Sequence, residues 1–280
     1  MIDTLLQSGL VPKLGYRLGI NHAIRDRLRQ ERAQYQYTQG GTKQALIDRL
    51  NHSSVALSTQ TANEQHYEVP TAFYQHILGP SLKYSCNYYE GEVSLAEAEN
   101  AMLALYCERA DIRDGQRILD LGCGWGALTL HIAKHYPHCK ITAVSNSKTQ
   151  QAYISSQTPK TQHPIRLMHT DINNLVLDAK YDRIVSIEMF EHVRNYRYLL
   201  STLSQSLNPD GILFVHHFCH QYLAYEFDAN KSWMARHFFK DGLMPSEDLL
   251  LFFTDDFIVD KRWQINGKHY EKTCYHFSFA

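Results

Sequence analysis

Three stretches of this 280-residue chain combine residue types that can hold a ligand or move a proton. The first is Asp120-Leu121-Gly122-Cys123-Gly124-Trp125-Gly126, which follows a strand-like run and precedes a helix-like one. Three glycines at alternate positions exceed what a plain tight turn requires. They let the backbone approach a ligand whose polar groups meet main-chain amides at the helix N-terminus. The dinucleotide fingerprint differs, because it spaces its glycines G-x-G-x-x-G and expects an acid near the end of the second strand. Here the spacing is G-x-G-x-G, and Ser145-Asn146-Ser147 stands where the acid belongs. The second stretch, Ser186 to His192, puts Glu188 and His192 four residues apart. On a helix they would share a face, so the carboxylate could orient or charge-stabilise the imidazole while Glu191 points elsewhere. The bland alternative is a helix start, where the dipole favours acidic residues. The third stretch is His216, His217, Cys219 and His220. On a strand, His216 and His220 share one face and His217 and Cys219 the other, so the four cannot converge on zinc without a break, and no metal is expected.

The elements that must position these groups follow from pattern. From about residue 95 onward the chain alternates helix-like and strand-like segments, the mark of a parallel sheet covered on both faces. Leu95 to Arg109 reads as a helix with Leu95, Ala98, Met102 and Leu105 on one face. Arg117 to Leu121, Ile141 to Val144, Ile165 to His169, Arg183 to Ile187 and Ile212 to His216 read as five strands. Helix-sized intervals lie between them, including Ala127 to His135, Lys148 to Ser156 and Arg197 to Leu207. Asn208-Pro209-Asp210-Gly211 reads as a tight turn into the fifth strand, with Gly accepting a positive φ. Residues 1–62 read as an N-terminal helical extension, with a basic stretch from Arg25 to Arg32 expected as a solvated face because Asp26 and Glu31 interrupt it. Ser53 to Asn63 is the linker candidate, and the catalytic unit is expected over residues 63–280.

Composition excludes several function classes. Apolar residues make up 44% and charged residues 20%, so the chain is neither disordered nor a polyelectrolyte. With 28 basic against 29 acidic side chains, nothing advertises a nucleic-acid partner. No apolar run is long enough to span a bilayer, and the N-terminus lacks the pattern of a secretory signal. Six scattered cysteines read as free thiols of a cytoplasmic protein.

Asp120 to Gly126 resembles the S-adenosylmethionine (SAM) loop of class I methyltransferases. Together with Tyr84-Ser85-Cys86, Ser145 to Gln150 and Ser186 to His192, it resembles the cyclopropane fatty acid synthase family, and most closely its coclaurine-type N-methyltransferase branch. The likeness runs from His66 to Tyr270. It implies a Rossmann-like α/β sheet with helices on both faces and a lid insertion after the fifth strand. It also implies SAM as cofactor, with Tyr84 and Ser85 at the methionine end and Gly122 and Gly124 at the backbone-facing side. Asp171 and Ile172 would lie at the adenine edge, and Gln150 would take the ribose-side role of the missing acid. Asp120, Trp125, Asn146 and Ile187 complete the expected cofactor site. Asp171 also follows the third strand at the ligand-binding edge, and its competing reading is an N-cap.

A methyl acceptor decides what else is needed. An amine arrives as ammonium and must lose a proton before attack, whereas an alkene yields a carbocation that loses one afterwards. In the N-methyltransferase branch the residues matching Glu188 and His192 are the catalytic pair, which implies an amine substrate with His192 as general base. The lipid branch typically has a small residue where Glu188 stands. It acts on unsaturated phospholipid acyl chains with bicarbonate as base, held at positions matching Cys86, Glu191, His216 and Tyr270. A catalytically silent SAM-binding protein is the third reading. The aromatic-rich stretch with Tyr222, Tyr225, Phe227, Trp233, Phe238 and Phe239 suits a lid over either acceptor. A homodimer is compatible with these expectations. Gly267 to Thr273 resembles a late family motif after which relatives continue. Cys274 to Ala280 is therefore expected either to serve as the last strand or, the favoured reading, to mark a truncated chain.

Overall fold

Two helices, α1 (Lys13–Tyr37) and α2 (Gly41–Asn51), come first in the computed structural model, which describes residues 11–38, 41–60, 70–158, 164–228 and 233–277. α1 exposes Leu14 and Leu18 and docks through polar contacts. Its Arg27 pairs with Glu31 at 2.7 Å, donates to the Glu226 carbonyl at 3.0 Å and lies 4.8 Å from the Tyr225 ring centre. The basic stretch is thus solvated only in part. α2 instead buries Leu46, Ile47 and Leu50 in the main core. The segment expected as a linker is also fixed, at least through residue 60. Val55 and Ala56 are buried, Arg194 N donates to the Val55 carbonyl at 2.7 Å, and Asn173 Nδ2 donates to the Ala56 carbonyl at 3.1 Å. Its polar composition reflects side chains that bond to the body rather than to water. The expected boundary at residues 62 and 63 lies outside the described residues.

After α3 (Thr71–Ile77), Ser94 and Glu97 form a capping box that starts α4 (Leu95–Arg109), whose Met102, Leu103 and Tyr106 are buried. The alternating part follows as β1 (Arg117–Leu121), α5 (Ala127–His135), β2 (Lys140–Ser145), α6 (Lys148–Gln157), β3 (Arg166–His169), β4 (Tyr181–Ile187), α7 (Tyr196–Ser204) and β5 (Leu207–His216). All five strands are parallel, in the order β3-β2-β1-β4-β5. Successive residues of each strand face opposite sides, so Leu119, Leu121 and Ile184 pack with α2 and α7 while Ile118, Val185 and Phe214 pack with α4 and α5. Strand order reverses between β2 and β4 around β1, and ligands bind at the carboxyl edge of such a point.

Two local expectations are corrected. Asn208 to Gly211 lies inside β5 rather than before it, because Tyr181 pairs with Leu207 and Arg183 with Ile212, which leaves the intervening residues as a bulge. The positive φ falls on Asp210, at 62°, not on Gly211. The described end of the chain, through Phe277, is a helix rather than the last strand that the sequence offered as one alternative. After β6 (Tyr225–Glu226), α8 (Trp233–His237) and β7 (Leu243–Met244), which pairs antiparallel with β6, the described chain closes with α9 (Gly267–Phe277). Cys274 to Phe277 are helical because Thr273 donates back to the His269 carbonyl at 2.7 Å and accepts from Asn87 N at 3.0 Å, tying α9 to the chain before α4.

Candidate active site

At the carboxyl edge of β1 the chain turns through the glycines. Gly122 N and Cys123 N both donate to the Val144 carbonyl at 3.0 and 2.9 Å. Gly122 has φ +80°, and a Cβ there would stand 2.6 Å from Met189 Cγ, so only glycine fits. Gly124, at φ +53°, has no atom within 4 Å of a Cβ position: its backbone borders open space. That space is a cavity lined by Tyr84, Ser85, Asp120, Gly122, Gly124, Trp125, Asn146, Gln150, Ile172, Ile187, Glu188 and His192. Asp120 is buried and accepts from Thr129 Oγ1 at 2.6 Å, and burial pushes its carboxyl up to about 6. Gln150 sits behind Ser147, which caps α6, and its Oε1 accepts from Ser145 Oγ at 2.8 Å. Its buried Nε2 has no partner among the described residues, nor does Trp125 Nε1. Both are unsatisfied donors in the cavity wall, the state a buried polar group leaves when a ligand completes its bonding.

Asp171 differs from its neighbours. Thr170 and Ile172 line the cavity, whereas the Asp171 carboxylate accepts from Asn173 N at 2.8 Å and from the Thr59 hydroxyl. It caps the short 3-10 turn Ile172–Asn174, the alternative that the sequence left open.

The other end of the cavity is built around Glu188. Expected on a helix, it instead has φ +49° directly after β4, and the helical turn is confined to Phe190–His192. Its N–H donates to the His216 carbonyl at 2.7 Å, which turns the side chain inward. Oε1 accepts from Cys86 N at 2.8 Å and lies 3.9 Å from His216 Nδ1, while Oε2 accepts from Tyr270 Oη at 3.3 Å. The shared helical face of Glu188 and His192 therefore does not form. The two line the cavity from separate turns, with His192 ring-to-ring on Phe239 at 4.6 Å. Burial raises the Glu188 carboxyl, opposed by the charge of Lys83. Glu191 is buried behind it and accepts from Phe218 N at 2.7 Å. Burial and then Glu188 push its carboxyl well above the usual range. His216 Nδ1 shares a hydrogen bond with Tyr106 Oη at 3.0 Å, and burial drives the imidazole down to about 3, so it is neutral. Burial also raises the Cys86 thiol to about 12, which leaves it inert as a nucleophile. No group of three or more His, Cys, Asp and Glu among the described residues could hold a metal ion. His217 Nδ1 donates to the Phe218 carbonyl at 2.9 Å, and His220 Nδ1 accepts from Tyr222 N at 3.2 Å.

Several wall residues carry no motif. Lys83 is buried beside the cavity, the strap Ala56–Thr59 borders it, and Lys240 and Asp241 of the lid lie opposite. Proximity of Lys83 to Tyr84-Ser85 was the one signal available for it, and nothing local marks the strap.

The parallel sheet, its strand order and the glycine turn define a class I methyltransferase fold. The family model described as mycolic acid cyclopropane synthetase matches residues 56–278, and the chain belongs to that family. Among curated relatives, the (S)-coclaurine N-methyltransferase of Thalictrum flavum subsp. glaucum is 40% identical over 234 residues, covering 81% of this chain and 65% of that one. The cyclopropane-fatty-acyl-phospholipid synthase of Escherichia coli K12 is 29% identical over 213 residues, 75% of this chain and 53% of that protein. The chain thus spans about two-thirds or less of the length of these relatives. A crystal structure of coclaurine N-methyltransferase bound to N-methylheliamine and SAH superposes with a TM-score of 0.92 at 37% identity, covering 99% of this chain and 82% of that one.

Proposed function

We propose that this protein is a SAM-dependent methyltransferase acting on the amine nitrogen of a hydrophobic small molecule. The observation that carries the reading is the Glu188 carboxylate, held at the methyl-acceptor end of the cavity by Cys86 N and Tyr270. The glycine turn open at Gly124 and the unpartnered donors of Gln150 and Trp125 fit SAM, which supplies a methyl group on a sulfonium. Tyr84, Ser85 and Asn146 would hold its amino-acid end and Ile172 its adenine. Likeness to N-methyltransferases supports the amine over other acceptors.

The residues then divide the work. Burial keeps Glu188 basic enough to attract an ammonium and to take or hold its proton, and His192 faces the same space as the second proton acceptor. Phe239, packed on the His192 ring at 4.6 Å with Phe218 against it at 5.9 Å, backs this end with aromatic side chains suited to a hydrophobic cation. Alignment of the neutral amine with the methyl carbon supplies most of the remaining rate.

Bicarbonate does not fit. Of the residues that would hold it, Cys86, Glu191, His216 and Tyr270, all but Glu191 already surround the Glu188 carboxylate, so a second anion would meet both its volume and its charge. The lipid-modifying reading loses its base on that ground. No helix among the described residues is long and apolar enough to cross a membrane, and six free thiols support a reducing compartment, the cytoplasm.

The test is incubation with methyl-labelled SAM and, separately, secondary and tertiary amines or vesicles of unsaturated phospholipid. Label is expected in amines. Label only in lipid, or SAM binding without transfer to any acceptor, would each reject the proposal.

A further inference from the structure

Lys83 is a fully buried cation that the transfer chemistry above leaves without a task. Its ammonium donates to Ser85 Oγ at 2.7 Å and to the Cys86 carbonyl, and it lies 5.2 Å from the centre of the Tyr106 ring. No carboxylate oxygen among the described residues lies within salt-bridge distance of it. A desolvated ammonium without a direct counter-ion is costly, and it persists only where the surroundings use the charge. Two contact paths lead from it to one acid. Cys86, whose carbonyl accepts from Lys83, donates through its own N–H to Glu188 Oε1, at 2.8 Å. Tyr106, under the ammonium, shares a hydrogen bond with His216, whose Nδ1 stands 3.9 Å from the same oxygen.

We propose that Lys83 is a positioning residue for methyl transfer: its ammonium keeps Glu188 a carboxylate, and its two hydrogen bonds set the Tyr84–Cys86 wall on which the cofactor and Glu188 both rest. This deepens the N-methyl-transfer reading and rests on it. The other charges facing Glu188 make such a counter-charge necessary. Glu191, three residues on, has its own carboxyl pushed well up by burial and then by Glu188, and His216 from β5 is neutral, so neither supplies positive charge. Tyr270 and Cys274 from α9, with Tyr106 from α4 and Tyr84 and Cys86 from the wall, are all raised by burial and stay uncharged near neutral pH. Glu99, also from α4, is the remaining acid near Lys83, and burial raises it. Lys240, Asp241 and His192 face the space from the lid and the Phe190–His192 turn. Among the described residues the buried positive charge beside Glu188 is Lys83, and burial lowers it to about 8.

The experiment is the pH profile of kcat/KM for an accepted amine in wild type, Lys83→Met and Lys83→Arg, beside the dissociation constant for SAM. Removing the cation moves the acid limb upward by about one unit or more, and arginine restores it. An infrared titration of wild type against Glu188→Gln reads the same carboxyl without any acceptor. The Glu188 band is expected to be ionised at neutral pH in wild type and protonated in Lys83→Met. If wild type methylates no amine but the band behaves this way, the amine reading fails while the charge coupling of Lys83 to Glu188 stands by itself. An unmoved limb and band in Lys83→Met would overturn it, and so would a protonated Glu188 in wild type, which is measurable even if Lys83→Met does not fold.

Discussion

Glu188 and His216 show how two neighbouring groups can be given opposite tasks by one environment. Burial raises the Glu188 carboxyl while the nearby Lys83 cation opposes that rise. His216 is buried among groups that disfavour its charge and stays neutral. Replacing Glu188 by Gln is expected to lower kcat about 10²- to 10⁴-fold, the usual weight of a positioned base, with the SAM dissociation constant unchanged within about threefold. Turnover kinetics with calorimetry of SAM binding checks both, and loss of SAM binding would place Glu188 in the cofactor site instead. For His216 the consequence is in stability. Its folded pKa lies below the ordinary 6.5, so the unfolded chain takes up a proton first as pH falls, and stability present above 6.5 is lost progressively toward about 3. Denaturant unfolding of wild type minus His216→Gln should therefore fall with decreasing pH by up to ~1.4 kcal/mol per pH unit in that window. Asp120, raised to about 6, acts with the opposite sign over part of the same range, but it is common to both proteins and cancels in the difference. A flat difference would mean that His216 is charged or solvated.

Elements divide into those whose cause is local and those set by a distant partner. α4 is local, with its capping box and apolar face, and the strands are nearly so, since burial on both faces writes short apolar runs between small or polar residues. Their spans and the glycine turn were legible in the sequence for that reason. Glu188 was not legible as a non-helical residue, because its backbone is turned by His216 and its side chain held by Cys86, 102 positions away. The turn at Asn208-Pro209 carries the same residues as a bulge, and only the register of β4 decides between them. Lysine reads as surface by default, so Lys83 was invisible. α9 belongs to the distant class too. It brings Tyr270 to Glu188 and holds the segment before α4 through Thr273, His269 on Tyr88 at 4.6 Å, and His269 Nδ1 accepting from Tyr89 N at 3.0 Å. Thr273→Val leaves the buried Asn87 N–H without an acceptor, at a cost of about 1–3 kcal/mol. Because that segment continues into the Tyr84–Cys86 wall, KM for SAM should rise together with the fall in the denaturation midpoint. A stability loss with KM unchanged would separate α9 from the site.

Across the whole molecule the cavity is closed by parts far apart in sequence: the sheet edge, the lid, α9, and the strap that leaves α2. Ser58, at φ +47°, donates to Asp241 at 2.5 Å in the lid, where Asp241 is itself at φ +57°. Thr59 donates to Asp171 beside the 3-10 turn. Thr59, Ile172, Lys240 and Asp241 all line the cavity, so the two bonds join the strap to the lid and to the turn on its wall, and parting these elements to let a ligand through would break at least one. The strap residues before them, Val55 and Ala56, are buried and bonded to Arg194 and Asn173, which makes the Ser58–Thr59 pair the weaker, openable part. Replacing the two donors together, Ser58→Ala with Thr59→Val, removes two hydrogen bonds of about 0.5–1.5 kcal/mol each. Release of S-adenosylhomocysteine should accelerate roughly tenfold on that scale, with the unfolding free energy lowered by about 1–3 kcal/mol for the two bonds together. Trp125, buried in the cavity wall, is the reporter: stopped-flow fluorescence of product release in wild type and the double variant reads the rate directly. If release limits turnover, kcat rises with it while the acid limb of the pH profile stays where Glu188 and Lys83 put it. An unchanged release rate would mean that ligands pass elsewhere, between the lid and α9, and that the strap is a fixed wall.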